Sequence, residues 1–371
     1  MVVVFHYLEQ QGAVTTGGLT PILQRLALMG WSGVDLFFVL SGFLVGGILI
    51  DARDSASYFK TFYIRRFFRI IPIYYLWILV YVVLVGVAGP ALRARSNSGL
   101  VLVSGRPIYV HFLFLQNLMV ISFTGLAGAW FSHLWSLAVE EQFYLVSPLV
   151  VRLLSARLLP VFLACVIAVA PVLRVVLLAE HANTWLVSVL MPCRADSLAA
   201  GMLAAVFWRR EGFREWLSQQ SGILYAILAL LFAGVVVLWK WFPESEARGT
   251  ESVGFTWLAA FYVLILMLAL IRREGPVARL ARIAWLRELG KVSYCVYIIH
   301  LVVDVACHSL LRRASPATTD WRGAAVTLLS AFATFAIAWI SWKLFEGPLV
   351  RLGHSFQYRP TARIGVDPRQ P

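Results

Sequence analysis

Apolar residues occur along the chain in runs of about twenty, and short polar or basic stretches separate the runs. A run of this length matches the roughly 20 residues that an α-helix needs to cross the hydrocarbon core of a bilayer. The runs lie at 33–51, 70–89, 108–125, 131–151, 158–178, 185–208, 222–242, 254–271, 289–311 and 323–346. Most are apolar on every face, whereas a soluble helix shows an amphipathic stripe. The pattern predicts an all-α fold, a polytopic transmembrane bundle of about ten helices.

Two segments depart from this pattern. The opening residues, MVVVFHYLEQ, offer only about eight apolar residues, or roughly 12 Å of helix against a core of about 30 Å. We therefore expect this first helix to be truncated, with its true start upstream. The run at 108–125 is interrupted by Gln116 and Asn117, which suggests a re-entrant or interfacial helix. Without that run, the short first helix and the remaining runs make the predicted ten crossings.

Charge gives the expected orientation. The formal net charge is +13, and Arg and Lys cluster between apolar runs near 53–69, 209–214 and 272–291. This is the distribution of cytoplasmic membrane loops and not of a nucleic-acid-binding surface. We expect a multi-pass protein of the inner (cell) membrane with both termini in the cytoplasm. Residues 1–350 would form the bundle and residues 351–371 a disordered cytoplasmic tail.

The cysteines give no sign of a metal site. Four are present, isolated within apolar segments and without metal-ligand or paired spacing: Cys165, Cys193, Cys295 and Cys307. They are interpreted as packing residues. We therefore expect no metal.

Polar residues recur on one face of the run at 131–151. His133, Ser136, Glu140 and Tyr144 follow one another at helical spacing, whereas Glu141 shares its face with leucines. Ionisable residues at this depth are explained either by function or by a buried partner. The sequence leaves both open: a structural ion pair, or a cavity lined by Glu140 with Glu141 bracing the bundle.

The run at 289–311 carries a second polar face. Ser293, Tyr297, His300 and Asp304 recur there at the same helical spacing. A lone histidine would be a satisfied core residue more often than not, but this alignment predicts a second wall of the same cavity.

Other candidate residues stand alone. Arg65, Arg66 and Arg69, within FYIRRFFRIIPIYY, lie where a span should meet the cytoplasm. Arginine suits phosphate, although the same pattern also serves as a membrane anchor. Arg194 lies two residues from Asp196, a pair predicted to be structural when taken alone. His6, in the first helix, is of the residue type that most often acts as general base towards an alcohol.

Several motifs occur together and in order. They are GVDLFFVLSGFL (33–44), FYIRRFFRIIPIYY (62–75), HLWSLAVEEQFYLVSP (133–148), CRADSLAAGML (193–203), LGKVSYCVYIIH (289–300) and LFEGPL (344–349). With them, the chain resembles acyltransferase family 3 of integral-membrane O-acyltransferases from about residue 5 to residue 350. The combination is specific, although no single motif is.

The resemblance implies an enzyme that moves an acyl group, most commonly acetyl from acetyl-CoA, onto a hydroxyl of a carbohydrate or lipid-linked glycan. The acyl-CoA would be a co-substrate, with no bound cofactor. The resemblance and the polar faces together mark three groups of residues. The expected catalytic residues are His6, Glu140 and Glu141. The expected donor-binding residues are Arg65, Arg66, Arg69 and Tyr74. The expected acceptor or cavity residues are Asp35, Ser41, His133, Ser136, Arg194, Asp196, Tyr297 and His300.

In this hypothesis His6 removes the proton of the acceptor hydroxyl, and Glu140 orients its imidazole. The chain departs from the family pattern by lacking an arginine about three turns before the histidine, and it shows no SGNH-type esterase domain after the bundle. Transfer across the membrane would then require a separate periplasmic partner protein. The alternative is a transporter or flippase of an anionic or sugar-bearing substrate.

Overall fold

The computed structural model describes residues 1–9, 27–94, 108–118, 128–242, 247–318 and 320–359. The structure is a helical bundle, and no strand occurs among these residues. The helices are α1 Val2–Glu9, α2 Gly33–Asp51, α3 Tyr58–Ala94, α4 Tyr109–Phe112, α5 Gly128–Phe131, α6 Trp135–Leu153, α7 Leu158–Ala179, α8 Thr184–Val189, α9 Met191–Trp208, α10 Phe213–Gln219, α11 Ser221–Trp241, α12 Phe255–Ile271, α13 Pro276–Ala281, α14 Ala284–Leu311, α15 Trp321–Ser341 and α16 Gly347–Ser355.

Eight of the described helical segments are long and apolar enough to cross a membrane. They contain α2, α3, α7, α8 with α9, α11, α12, α14, and α15 with α16. Apolar side chains such as Leu44, Val172 and Phe332 are exposed on the outside of the bundle. This is the arrangement of a protein whose solvent is lipid. The predicted all-α polytopic bundle is confirmed.

Several predicted spans differ from the observed helices, and the one at 131–151 becomes helix α6 only at Trp135, after a 3-10 turn. Helix α3 begins at Tyr58, twelve residues before the predicted start at 70, so the three arginines belong to the helix itself. Arginine is a good helix former, and its long side chain can place the charge outside the hydrocarbon. The predicted span at 185–208 is divided into α8 and α9 at Leu190, whose backbone is extended, and Pro192 lies in the first turn of α9. Proline is favoured in the first turn of a helix.

The segment that contains Gln116 and Asn117 does not form a spanning helix where it is described. Its helix, α4, is a single turn, and both amides are buried. Gln116 donates a hydrogen bond to the carbonyl oxygen of Leu134 at 2.8 Å, and Asn117 to that of Val189 at 3.2 Å. Internal carbonyl partners allow irregular backbone to lie inside a membrane bundle. The remainder of that predicted span, 119–125, lies outside the described residues.

Small residues bring α2 and α9 into close contact. A Cβ atom added to Gly42 would lie 2.0 Å from the carbonyl oxygen of Leu198, and one added to Gly201 would lie 2.1 Å from that of Val39. Helices in lipid associate through such close backbone packing because water does not drive their apolar faces together. The α2–α9 contact therefore depends on the absence of these side chains.

The basic loops lie together at one end of the bundle, which we call the basic end. There Arg209 makes two hydrogen bonds of 2.6 Å with Asp51, Arg53 donates to the carbonyl oxygen of Leu154, and Arg152 donates to that of Arg53. These contacts join the α2–α3, α6–α7 and α9–α10 connections. The positive-inside rule predicts that the basic end faces the cytoplasm.

The chain remains ordered beyond residue 350. Helix α16 extends to Ser355, and Arg65 donates a hydrogen bond to the carbonyl oxygen of Phe356 at 2.9 Å. Ser55 donates to that of Arg359 at 2.8 Å. The predicted disordered tail therefore does not begin at 351, because the basic end supplies partners for this backbone. Residues 360–371 lie outside the described part.

The α2–α9 contact can be tested with one methyl group. Gly42→Ala should lower the free energy of unfolding by about 1–3 kcal/mol or more, the usual effect of overpacking. Gly222→Ala, on α11, is the matched control because nothing lies within 4 Å of the added Cβ. Thermal unfolding in detergent measures both variants. Equal melting temperatures for the two would contradict the packing argument.

Candidate active site

The polar faces of α6 and α14 meet inside the bundle. Tyr297 on α14 lies 2.5 Å from the hydroxyl of Ser136 on α6 and donates a hydrogen bond to the carbonyl oxygen of His133 at 2.6 Å. His133 lies in a short 3-10 turn, Ser132–Leu134, immediately before α6. The structure thus brings together residues that the sequence assigned to two walls of one cavity.

Ser293 does not take part in this cavity. It is exposed and hydrogen-bonded to the carbonyl oxygen of Gly290 on its own helix. The next residue, Tyr294, instead faces inward and donates to the carbonyl oxygen of Ile70 at 3.2 Å. The inward face of α14 therefore contains residues 294, 297 and 300, whereas the prediction placed residue 293 there.

Three histidines from distant parts of the sequence form a cluster at this meeting point. The ring centroids of His6 and His300 lie 5.0 Å apart, those of His133 and His300 4.9 Å, and those of His6 and His133 6.1 Å. His133 and His300 are buried. The short helix α1 places His6 against α14, so the predicted catalytic histidine and the predicted cavity histidines share one site.

The hydrogen bonds assign the protons of this cluster. Nδ1 of His300 lies 2.8 Å from the carbonyl oxygen of Tyr297 and 3.2 Å from that of Val296. A carbonyl oxygen only accepts, so this nitrogen carries the hydrogen, and in a neutral ring Nε2 is then the acceptor. Nδ1 of His6 lies 2.8 Å from that Nε2 and must be the donor. His6 is thereby left with its lone pair on Nε2, the atom that a general base uses.

The third imidazole is only half satisfied. Nε2 of His133 lies 3.2 Å from the carbonyl oxygen of Ile298 and so acts as a donor. Its Nδ1 is buried and has no hydrogen-bond partner in the part of the chain that the structure describes. A buried polar atom of this kind requires an explanation, and a ligand in the cavity would provide one.

The two carboxylates have different surroundings, and the contact that braces the bundle is made by Glu140, not by Glu141 as the sequence suggested. Glu140 accepts hydrogen bonds from Ser41 on α2, at 2.8 Å, and from Tyr144. It therefore joins α2 to α6, and among the described residues it has no bond to His6, whose orienting partner is His300. One oxygen of Glu141 is buried and has no hydrogen-bond partner among the residues described by the structure. Adjacent residues on a helix point about 100° apart, which explains how one is bound and the other is not.

The three arginines of α3 approach this centre from the basic end. Arg66 lies over the ring of Tyr144 at 4.8 Å, and its charge acts on Glu140 and Glu141. Arg69 is exposed and acts electrostatically on Glu140 and on Glu346, and Arg65 lies over the ring of Tyr358. A basic mouth therefore lies beside the carboxylates.

Tyr74 differs from the other predicted donor-binding residues. It is fully buried, donates a hydrogen bond to the carbonyl oxygen of His111 at 3.1 Å, and stacks on Phe114. Gln116 donates to its oxygen at 3.3 Å. Its hydroxyl is already satisfied by the protein, so its observed contacts support the packing of α3.

Arg194 and Asp196 are not partners. Arg194 pairs with Asp35 on α2 at 2.7 Å, and Asp196 pairs with Arg174 on α7 at 2.9 Å. Residues two apart on a helix do not face each other, so each finds its partner on a different neighbouring helix. Sequence reasoning missed Arg174, although a single arginine inside an apolar run indicates a buried partner.

Further polar residues continue the row from the histidines away from the basic end. Tyr7 lies 3.0 Å from the hydroxyl of Thr334, Ser330 donates to Asp304 at 2.5 Å, and His308 lies 3.0 Å from the hydroxyl of Thr327. Of these, only Asp304 was part of a predicted polar face. The row of polar groups along α14 thus extends to both sides of His300.

The fold and the site together define a class: a multi-pass helical membrane protein with a buried histidine centre beside carboxylates and a basic mouth. Within that class the chain belongs to acyltransferase family 3, whose family model, described as an acyltransferase domain, matches residues 1–343. The resemblance read from the motifs is confirmed. No solved structure matches the chain.

Similar proteins include three O-acetyltransferases from different organisms. The peptidoglycan O-acetyltransferase OatA of Listeria monocytogenes is 28% identical over 342 residues, which cover 87% of this chain and 52% of the relative. The O-acetyltransferase OatA of Staphylococcus aureus is 24% identical, with 89% and 54% covered. The putative peptidoglycan O-acetyltransferase YrhL of Bacillus subtilis is 28% identical, with 89% and 52% covered. The chain thus spans about half the length of these relatives, and none of these names supports a transporter.

The different contacts of the two carboxylates give a stability test. Glu140→Leu should lower the free energy of unfolding by about 1–3 kcal/mol because it leaves a buried hydroxyl without its acceptor. Glu140→Gln keeps an acceptor oxygen and should lose much less stability. Glu141→Leu should not lower stability because a buried oxygen of Glu141 has no hydrogen-bond partner among the described residues. Melting temperatures in detergent measure this. A larger loss for Glu141→Leu than for Glu140→Leu would refute the assignment.

Proposed function

We propose that the protein is a membrane O-acyltransferase that transfers an acetyl group from acetyl-CoA to a hydroxyl of a surface glycan. The observation that carries the proposal is the hydrogen-bonded pair of His6 and His300, which leaves an unprotonated Nε2 on His6 within the cluster of polar side chains between α6 and α14. Family membership and the names of the relatives support the reaction class.

The donor would enter from the basic end. Coenzyme A carries a 3′-phosphate and a pyrophosphate, and arginine guanidinium groups bind phosphate oxygens through charge-assisted hydrogen bonds. Arg65 and Arg66 are partly exposed and Arg69 is exposed, so all three are accessible to such a ligand. With the nucleotide held there, the pantetheine arm would pass Glu141 and Tyr297 and bring the thioester to the histidine cluster.

The reaction then follows from the protons on His6. Its Nε2 takes the proton of the acceptor hydroxyl as the oxygen attacks the thioester carbonyl carbon. The C–S bond breaks, and the imidazolium returns the proton to the departing CoA thiolate, so the products are the acetyl ester and CoA. While the imidazole is charged, its Nδ1–H remains hydrogen-bonded to Nε2 of His300, which holds the ring in place.

The acceptor is a glycan, and peptidoglycan is the one that the relatives suggest. The names of the Listeria and Bacillus relatives both include peptidoglycan. His133, Ser136 and Tyr297 line the site that an acceptor hydroxyl would occupy. We place the protein in the cell membrane with the basic end in the cytoplasm, and a separate partner protein outside would complete any onward transfer.

Transfer by the purified protein tests the proposal. In lipid nanodiscs with radiolabelled acetyl-CoA and peptidoglycan fragments, His6→Ala should lower turnover about a hundredfold or more, the usual contribution of a general base. Binding of CoA should be unchanged. His181→Ala is the matched control because this histidine is exposed in the loop between α7 and α8. Near-normal turnover by His6→Ala would exclude His6 as the base.

A further inference from the structure

Two buried arginine–aspartate pairs flank the start of α9, and one of them is fully satisfied. Arg174 donates through Nε to the carbonyl oxygen of Ser252, through Nη1 to Asp196 and the carbonyl oxygen of Cys193, and through Nη2 to Thr256. Asp196 also accepts from the hydroxyl of Thr256 at 2.6 Å and from the backbone of Ser197. Every nitrogen and oxygen of this pair has a protein partner, as expected for a structural ion pair in a bundle.

The second pair is incomplete. Arg194 donates through Nη2 to Asp35 at 2.7 Å, and Ser197 donates to the same oxygen at 3.1 Å. Within the described residues, Nε and Nη1 of Arg194 and the second oxygen of Asp35 are buried and have no hydrogen-bond partner. Arg194 is 1% exposed and Asp35 0%. Unused donors and an unused acceptor therefore lie side by side, and buried polar groups of this kind require an explanation, which a ligand would provide.

Aromatic rings surround the open pair. The guanidinium of Arg194 lies 3.5 Å from the ring centroid of Phe255, and Phe38 and Trp135 lie at 5.7 and 5.8 Å. Trp135, which contacts the pair, follows His133 by two residues, so it links the pair to the histidine cluster. Asp35 precedes Ser41 by six residues on α2, or about 9 Å along the helix towards the end opposite the basic one.

The charge of the pair indicates its ligand. Arg194 is already neutralised by Asp35, and a phosphate or carboxylate would meet the free aspartate oxygen, which would repel it. A neutral group that both donates and accepts hydrogen bonds satisfies all three open atoms. Sugar hydroxyls and N-acyl groups have this property, and carbohydrate also packs well against aromatic rings.

We propose that Arg194 and Asp35 bind a sugar residue of the acceptor glycan, with the guanidinium donating to a hydroxyl or N-acyl oxygen and Asp35 accepting from a hydroxyl. Asp196, which was grouped with them as a cavity residue, belongs to the structural pair instead. This inference rests on the proposed function, since it assigns the acceptor side of the same reaction.

Direct binding tests the inference without requiring turnover. The probe is a soluble β-1,4-linked N-acetylglucosamine oligomer, titrated by calorimetry into the purified protein in nanodiscs, with CoA titrated in parallel. The variant Arg194→Gln with Asp35→Asn keeps the pair neutral and able to form one hydrogen bond, and it should bind the oligomer at least tenfold more weakly while binding CoA normally. The matched control, Arg174→Gln with Asp196→Asn, should lower the melting temperature, and its folded fraction should bind the oligomer as the wild type does.

The other outcomes are also decisive. Oligomer affinity within twofold of wild type for the Arg194 and Asp35 variant would overturn the inference and leave the proposed function standing. If that variant does not fold, Arg194→Lys, which keeps the charge but loses the forked donors, should still weaken oligomer binding at least fivefold. If this variant also fails to fold, the pair is structural and the inference is wrong. If the protein binds the oligomer through Arg194 but transfers no acetyl group, the proposed function alone is wrong.

Discussion

Lipid hydrocarbon offers no hydrogen bonds, and this constraint determines where every polar side chain of the bundle must lie. In the described part of the chain, the polar faces of α6 and α14 find their partners on each other and on α1, α2, α3 and α15. Ser136 therefore meets Tyr297, Glu140 meets Ser41, and Tyr7 meets Thr334. The same demand that folds the helices together creates a polar row through an apolar bundle, and the reactive histidines lie within that row.

The need for hydrogen-bond partners also determines the protonation state of His6, the candidate general base. His300 is buried and has backbone carbonyls on one side, which hold the hydrogen on Nδ1 and turn Nε2 towards His6. A carboxylate was the expected partner of His6. A neutral imidazole in that place avoids the cost of burying a charge beside the base, and it still holds the ring through one hydrogen bond.

The sequence could predict what depends on local periodicity. Spacing of three to four residues placed His133, Ser136 and Glu140 on one face and Tyr297 and His300 on another, and the motifs identified the family. It could not predict partners that lie far apart in the chain. His6 and His300 are 294 residues apart, and Arg194 and Asp35 are 159 apart.

Local proximity was a poor guide for the remaining contacts. Asp196 is the nearest charge to Arg194 in the sequence, yet helical geometry turns it towards α7 and Arg174. The roles of Glu140 and Glu141 depend on whether α2 places a hydroxyl within reach, and that follows from the close α2–α9 packing at Gly42 and Gly201. No pattern within a single helix contains this information.

The protonation of the histidine pair is the central claim, and it can be observed directly. The ¹⁵N NMR spectrum of the full protein in lipid bilayers, with ring-labelled histidine and His6→Gln for assignment, reports which nitrogen of each ring carries hydrogen. At neutral pH, His6 and His300 should both be neutral, with hydrogen on Nδ1 and a bare Nε2. Hydrogen on Nε2 of His6, or a doubly protonated His6, would contradict the account.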